Sequence, residues 1–253
     1  MVQVKKVTKE DRWAVQLIDT YVQLESVKSR GLEREIAVFG DPFGMGILIK
    51  GIIDQLQYSP ETGELILLDY KTRRSNSLPS PEQKRGHFLQ LMLYKCMLDL
   101  LLCGATPMNL LSQHANLVFD VPLTSGPIEH IQQCGLQSLL IGDKNQKVLF
   151  GEVAEGISKL IAGLGLPLVS TLVVQYEYQA SGEVLGTEAV EYDENWMKLE
   201  LETCFSFWMG RRPARGVDIE ESWKCDSCQF RDICVWRMQK ELEKSPVAKA
   251  PAV

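Results

Sequence analysis

No apolar run in this 253-residue chain is long enough to cross a membrane, because Lys95 and Asp99 interrupt the longest one. The N-terminus, Met-Val-Gln-Val-Lys-Lys, lacks the apolar segment of a signal peptide, so the expectation is a soluble intracellular protein. An excess of positive charge is also missing. Lys and Arg number 27 against 33 Asp and Glu, and a net charge of −6 carries no global signature of a nucleic-acid binder. Basic residues come instead in local groups: Arg73-Arg74, Lys84-Arg85, and Arg211-Arg212 with Arg215. Each reads either as solvated surface or as a contact to phosphate. There is no internal repeat and no low-complexity block. His114 and His130 have no metal-site spacing and read as structural or surface residues. The seven cysteines lack the regular framework of a small secreted domain. Cys96, Cys103, Cys134 and Cys204 sit in apolar surroundings and are expected to be small core residues.

What is present suffices for one large domain or a domain with an appendage, since 45% of the residues are hydrophobic. Thr8 and Asp11 form a capping box, after which Trp13, Leu17, Tyr21 and Leu24 recur at helical spacing until Gly31. Glu35–Phe39 reads as a short strand, with Glu35 either an ordinary strand residue or an extra acidic group. Ile47–Tyr58 and Glu64–Lys71 read as two strands joined by a turn at Pro60-Glu61-Thr62-Gly63. Ser80 is an N-cap, Pro81 takes the first helical position and Gln83 completes a capping box. That helix runs to Cys103, stops at Gly104, and is apolar nearly all round after Phe88, as a buried helix is. Further on, Leu117–Val121 is expected as a strand, and Pro127–Gln133 and Gly151–Ala162 as helices. Leu166–Tyr178 and Val184–Tyr192 are expected as a second hairpin, and Glu194–Met209 as a helix.

The first hairpin carries the chemistry. Asp54 lies in its first strand and Asp69 and Lys71 in its second, two residues apart and so on one face. Two carboxylates with an ammonium between apolar neighbours can hold a divalent cation and stabilise an anionic transition state, as metal-assisted phosphodiester hydrolysis requires. The bland alternative is a solvated hairpin face, although Ile52, Ile53, Leu65 and Leu67 make burial of these charges the more natural reading. On the following helix Gln90 and Tyr94 are four apart and share a face. Near the C-terminus, Cys225, Cys228 and Cys234 form a C-x2-C-x5-C pattern. Such spacing suits zinc or an iron–sulfur cluster, with reduced core thiols or a redox pair as the alternatives.

Taken together, G-I-I-D, D-Y-K-T, Q-x-x-x-Y and the cysteine pattern resemble the PD-(D/E)XK nuclease superfamily in its RecB-like branch, and within it the eukaryotic exonuclease V family. The likeness covers about Thr8 to Arg237. It implies an α/β fold, a central mixed sheet flanked by helices with a cysteine-bearing C-terminal segment. The expected division is 8–210 for the nuclease core, 211–240 for the cysteine segment and 241–253 for a flexible tail. It further implies a single-strand-specific DNA exonuclease in DNA repair, monomeric, nuclear and cytoplasmic, working beside single-strand DNA-binding proteins. Asp54 and Asp69 would hold Mg²⁺, with the Tyr70 carbonyl joining them, and Lys71 would act on the water or the developing charge. Gln90, Tyr94, Arg73 and Arg74 would bind the strand. Cys225, Cys228 and Cys234 would hold three corners of a [4Fe–4S] cluster. The family takes a fourth cysteine and a histidine from upstream of the first strand. The sequence has neither there, and so reads as the family with its N-terminal portion absent. The alternatives are a catalytically silent DNA-binding isoform and a zinc-ribbon-like interaction protein.

Overall fold

Helix formation begins where the backbone donors are first satisfied. In a computed structural model that describes residues 4–140 and 147–244, helix α1 (Lys9–Arg30) opens on Thr8. The Thr8 hydroxyl accepts the Asp11 N–H, while Asp11 Oδ2 accepts the Thr8 N–H. The helix closes on Gly31, whose φ of 85° is the left-handed conformation that a C-cap requires. Asp11 reaches further than the local pattern shows. Fully buried, it also accepts the backbone N–H and the hydroxyl of Thr124, the residue that precedes helix α4 (Ser125–Gln133). Burial alone would raise its pKa, but these donors hold it below the ordinary value.

Five strands form one mixed sheet in the order β1 (Leu32–Gly40), β2 (Ile49–Ser59), β3 (Glu64–Arg73), β4 (Thr171–Tyr178), β5 (Val184–Val190). Neighbours are antiparallel except β3 and β4, which run parallel. A parallel pair needs a long crossover. Here it contains α2 (Pro81–Leu102), α3 (Met108–Ala115), α4 and α5 (Phe150–Ala162). The core is made by Leu17, Ile18 and Leu24 of α1, Ile36 and Phe39 of β1, Leu65 and Leu67 of β3, Leu98 and Leu101 of α2, and Ile157 of α5. The fold is therefore α/β with a five-stranded mixed sheet flanked by helices, as expected. The described residues fall into two compact units. One is the stretch up to Leu78 with His87–Glu194; the other is Pro79–Gly86 with the stretch from Asn195. The second unit holds α6 from Asn195 onward (the helix spans Glu194–Trp208), a 3-10 segment at Ile219–Ser227, and α7 (Val235–Lys244). Of the expected flexible tail, residues 245–253 lie outside the described residues and 241–244 end α7. Among the described residues, no helix is long and apolar enough to cross a membrane.

Several expectations are corrected. Leu117–Val121 is not a strand. The carbonyls of Phe119 and Val121 accept the N–H groups of Gly151 and Phe150, so they cap the start of α5 rather than enter a sheet. Helix α3 forms where the sequence signals no element. The second hairpin starts at Thr171 rather than Leu166, because the Val169 backbone is held by Lys95 and Asp99 of α2 at 2.7 and 2.8 Å. The scattered cysteines are not core residues: Cys103 and Cys204 are exposed, and Cys96 and Cys134 are half-buried. Apolar sequence neighbours place a residue near a core, whereas the side of the helix decides whether it enters. Helix α2 does follow expectation, with the Ser80–Gln83 box formed and no exposed residue between His87 and Leu102. His114 bonds the Gly46 carbonyl and His130 pairs with Asp19, both structural contacts.

Candidate active site

The ladder between β2 and β3 runs from Ser59↔Glu64 beside the turn to Gln55↔Leu68. One step further, Asp54 faces Asp69, and like charges placed opposite each other disfavour pairing. Regular pairing ends there. The Tyr70 N–H is satisfied instead by Asp54 Oδ2, at 2.7 Å. Asp69 itself is 0% exposed. Lys71 Nζ stands 2.7 Å from its Oδ2, yet neither Asp69 oxygen receives a hydrogen bond of acceptable geometry. Burial pushes the Asp69 carboxyl above its ordinary value. Lys71 pulls the other way without overcoming it, and Asp54 adds to the rise. A buried carboxylate left in this condition is costly in the absence of a further cation.

Lys71 connects the carboxylates to α2. Its ammonium donates to Gln90 Oε1 at 2.9 Å, and Gln90 Nε2 donates to the Tyr94 hydroxyl at 2.8 Å. Asp54, Asp69, Lys71, Gln90 and Tyr94 thus form one connected set. Gly51 completes it from β2: a Cβ there would collide with the Tyr94 ring. The glycine of G-I-I-D is therefore set by tertiary contact. Gly51→Ala is expected to destabilise the protein by about 1–3 kcal/mol through overpacking, and to lower activity by displacing Tyr94 and Gln90. Urea denaturation alongside an activity assay checks this; an unchanged midpoint would show that the ring yields freely.

Beside Asp54 opens a pocket of about 350 Å³ lined by Arg34, Glu35, Asp54, Tyr70 and Glu177. Sequence reasoning missed Arg34 and Glu177, which carry no motif. Glu35 lies across from Asp54, between the pairs Arg34↔Gln55 and Ile36↔Ile53, and its φ of 55° is left-handed, a strained state for a residue other than glycine. Gln23 holds this turn of backbone by bonding the Arg34 and Glu35 carbonyls at 3.1 and 3.3 Å. His87, one helical turn before Gln90, meets the hydroxyl of Tyr176 at 3.2 Å. Burial first, then the charges of Lys71 and Arg73, keep its imidazole below the ordinary pKa and hence neutral at pH 7.

The remaining predicted residues lie elsewhere. Arg73 Nε bonds the Ser77 carbonyl at 2.7 Å and so braces the loop after β3, while Arg74 is exposed. Arg85 pairs with Glu200 and Asp218, and Arg212 bonds the Thr203 and Pro213 carbonyls, so both serve structure within the second unit. Cys225 and Cys234 are half-buried and Cys228 is exposed. Among the described residues, no three His, Cys, Asp or Glu side chains come together as a ready ligand set. The three thiols therefore do not form a preassembled centre. For a hard divalent cation the hairpin site fits better: two carboxylates, one with both oxygens unsatisfied, leave positions for water and phosphate oxygen, as Mg²⁺ sites commonly do.

A sequence profile of the exonuclease V family, described as a 5′ deoxyribonuclease, matches residues 1–65, 59–148 and 143–237. The chain is 34% identical over 233 residues to exonuclease V of Danio rerio, covering 92% of this chain and 56% of that protein. It is 30% identical over 80 residues to the mitochondrial exonuclease V of Eremothecium gossypii, 30% of this chain and 15% of that one. The mitochondrial exonuclease V of Candida dubliniensis is 31% identical over 62 residues, 24% and 10% of the respective chains. The chain thus spans about half the length of the first of these relatives, and much less of the other two.

Proposed function

This chain belongs to the exonuclease V family, and on that footing we propose that it is a metal-dependent deoxyribonuclease degrading single-stranded DNA from 5′ ends in DNA repair. The observation that carries the reading is Asp69, buried, unsatisfied at both oxygens, and placed between Lys71 and the facing Asp54. Asp54 and Asp69 hold the cation, with the Tyr70 carbonyl as a further oxygen at the same strand. Bound Mg²⁺ supplies Lewis-acid activation of the phosphate and of water. Lys71 places a positive charge where the phosphate oxygens gain negative charge, an interaction stronger in the transition state than in the ground state. Gln90 fixes the direction of the Lys71 ammonium through its 2.9 Å bond. Gln90 and Tyr94 line up the strand, and Arg73 and Arg74 neutralise its backbone beyond the site.

Single-stranded oligonucleotides labelled at either end, with Mg²⁺ or with chelator, test the reading. Release of short products from free 5′ ends only in Mg²⁺ is expected. Binding without cleavage would leave a catalytically silent DNA-binding protein. A monomeric state, single-strand DNA-binding proteins as partners, and nuclear and cytoplasmic residence belong to the same proposal. Two fungal relatives are named mitochondrial, so imaging of tagged protein is the measurement that decides the compartment.

An iron–sulfur cluster on Cys225, Cys228 and Cys234 is also part of the proposal. These residues supply three of the four ligands that a [4Fe–4S] cluster takes, and no step of the reaction is routed through them. Protein purified without air is expected to carry iron and a visible absorption band, both largely lost in Cys228→Ser. Zinc in place of iron, with no visible band, would identify a zinc ribbon instead.

A further inference from the structure

Arg34 is exposed on β1, outside every motif, yet its guanidinium is firmly aimed. Its Nε donates to Gln55 Oε1 at 3.0 Å, and the same oxygen accepts the Tyr70 hydroxyl at 3.1 Å. Two donors on one oxygen use both of its lone pairs and fix which end of the amide faces them. Gln55 is 3% exposed, so it cannot swing away. The guanidinium carbon also lies 5.8 Å from the centre of the Tyr70 ring, a cation–π distance. No carboxylate among the described residues pairs with Arg34, although it lines the same pocket as Glu35, Asp54 and Glu177. A surface arginine kept for structure would ordinarily close on one of them. This one is held off by Gln55 and Tyr70, with its terminal N–H donors unused.

We propose that Arg34 binds a non-bridging oxygen of a DNA backbone phosphate beside the scissile bond, and that Gln55 and Tyr70 are the positioning residues that aim it. The proposal rests on the nuclease reading and adds a phosphate contact to the one made by Lys71. Three carboxylates would repel the strand from this pocket; a cation takes up part of that charge, and among the described residues that line the pocket Arg34 supplies the one basic fork. Arginine suits this task because its planar fork matches phosphate oxygens two at a time, which a lysine ammonium does not.

The test uses the full chain and a fluorescein-labelled oligothymidylate, with Ca²⁺ replacing Mg²⁺ so that binding is read without cleavage, over a series of salt concentrations. Arg34→Ala is expected to weaken binding about ten- to a hundredfold, the range for a charge-assisted contact. It should also flatten the log–log salt slope by about 0.7, one phosphate on a single strand, at an unchanged melting temperature. Arg34→Lys should restore the slope but only part of the affinity. Gln55→Leu should lower kcat/KM while leaving the slope alone, because the charge stays and its aim is lost. Equal affinity and equal slope for Arg34→Ala and wild type would overturn the proposal. So would an affinity loss matched by a fall in melting temperature with no change of slope, since that is a structural role. The nuclease reading fails separately, on absence of Mg²⁺-dependent cleavage by the wild-type chain, whereas Arg34 is judged on binding.

Discussion

An Asp54→Asn protein is expected to lose strand cleavage by roughly a hundred- to a thousandfold or more, the scale on which removal of one transition-state-stabilising group acts, while melting at the wild-type temperature in metal-free buffer. The substitution separates two roles. Asparagine keeps an oxygen that can accept the Tyr70 N–H, now held at 2.7 Å, so the end of the β2–β3 ladder stays capped. It removes only the negative charge that would hold the cation. Lys71→Met should cost a similar factor in rate, but it differs in stability. Among the described residues Lys71 is the sole charge partner of Asp69 within 4 Å, and removing it leaves a fully buried carboxylate unpaired. In metal-free buffer a lower melting temperature is therefore expected for Lys71→Met and not for Asp54→Asn. Single-turnover cleavage with thermal melts of both variants checks this. Full activity in Asp54→Asn, after removal of contaminating nuclease, would dismiss the hairpin as the site.

Divalent metal should stabilise the folded chain strongly. A ligand that binds only the native state adds about 2.7 kcal/mol at a hundred times its dissociation constant, and in a chain of this size each kcal/mol moves the midpoint by about 2–4 °C. A rise of roughly 5–10 °C in Mg²⁺ is thus expected, and it should vanish in Asp69→Asn. The effect must also depend on pH. Asp69 has its folded pKa raised above 3.8, chiefly by burial. Without metal, the protonated form then favours folding. That contribution is complete below 3.8 and is lost as pH rises through the higher folded value. Metal binding needs the deprotonated form, so the Mg²⁺-induced shift should grow as pH rises through the same window and shrink on acidification. A shift independent of pH, or one retained in Asp69→Asn, would place the cation elsewhere.

Much of this protein is legible residue by residue, because the interactions concerned are local. Thr8 and Asp11, or Ser80 and Gln83, are close enough along the chain to cap a helix whatever lies around them. The first hairpin follows from apolar runs on either side of Pro60–Gly63, and strand periodicity puts Asp69 and Lys71 on one face. The four-residue spacing of Gln90 and Tyr94 likewise becomes a hydrogen bond on one side of α2. These local rules name the principal candidates.

Where the fold departs from local expectation, the cause is a partner far away in sequence. Phe119 and Val121 look like strand residues, but their carbonyls serve a helix that begins about thirty residues later. Cys103, just past the end of α2, and Cys204 on α6 have apolar neighbours and are still exposed, since the packing of the elements around them decides the buried side. Arg34 becomes a directed cation only through Gln55 and Tyr70 on two other strands, and Gly51 is obligatory only because Tyr94 arrives from α2. The sequence by itself determined which side chains could do the chemistry, because helix and strand periods are properties of the backbone. Only the tertiary structure decided the condition in which Asp69 is held, because burial and loss of hydrogen-bond partners depend on everything packed around a residue.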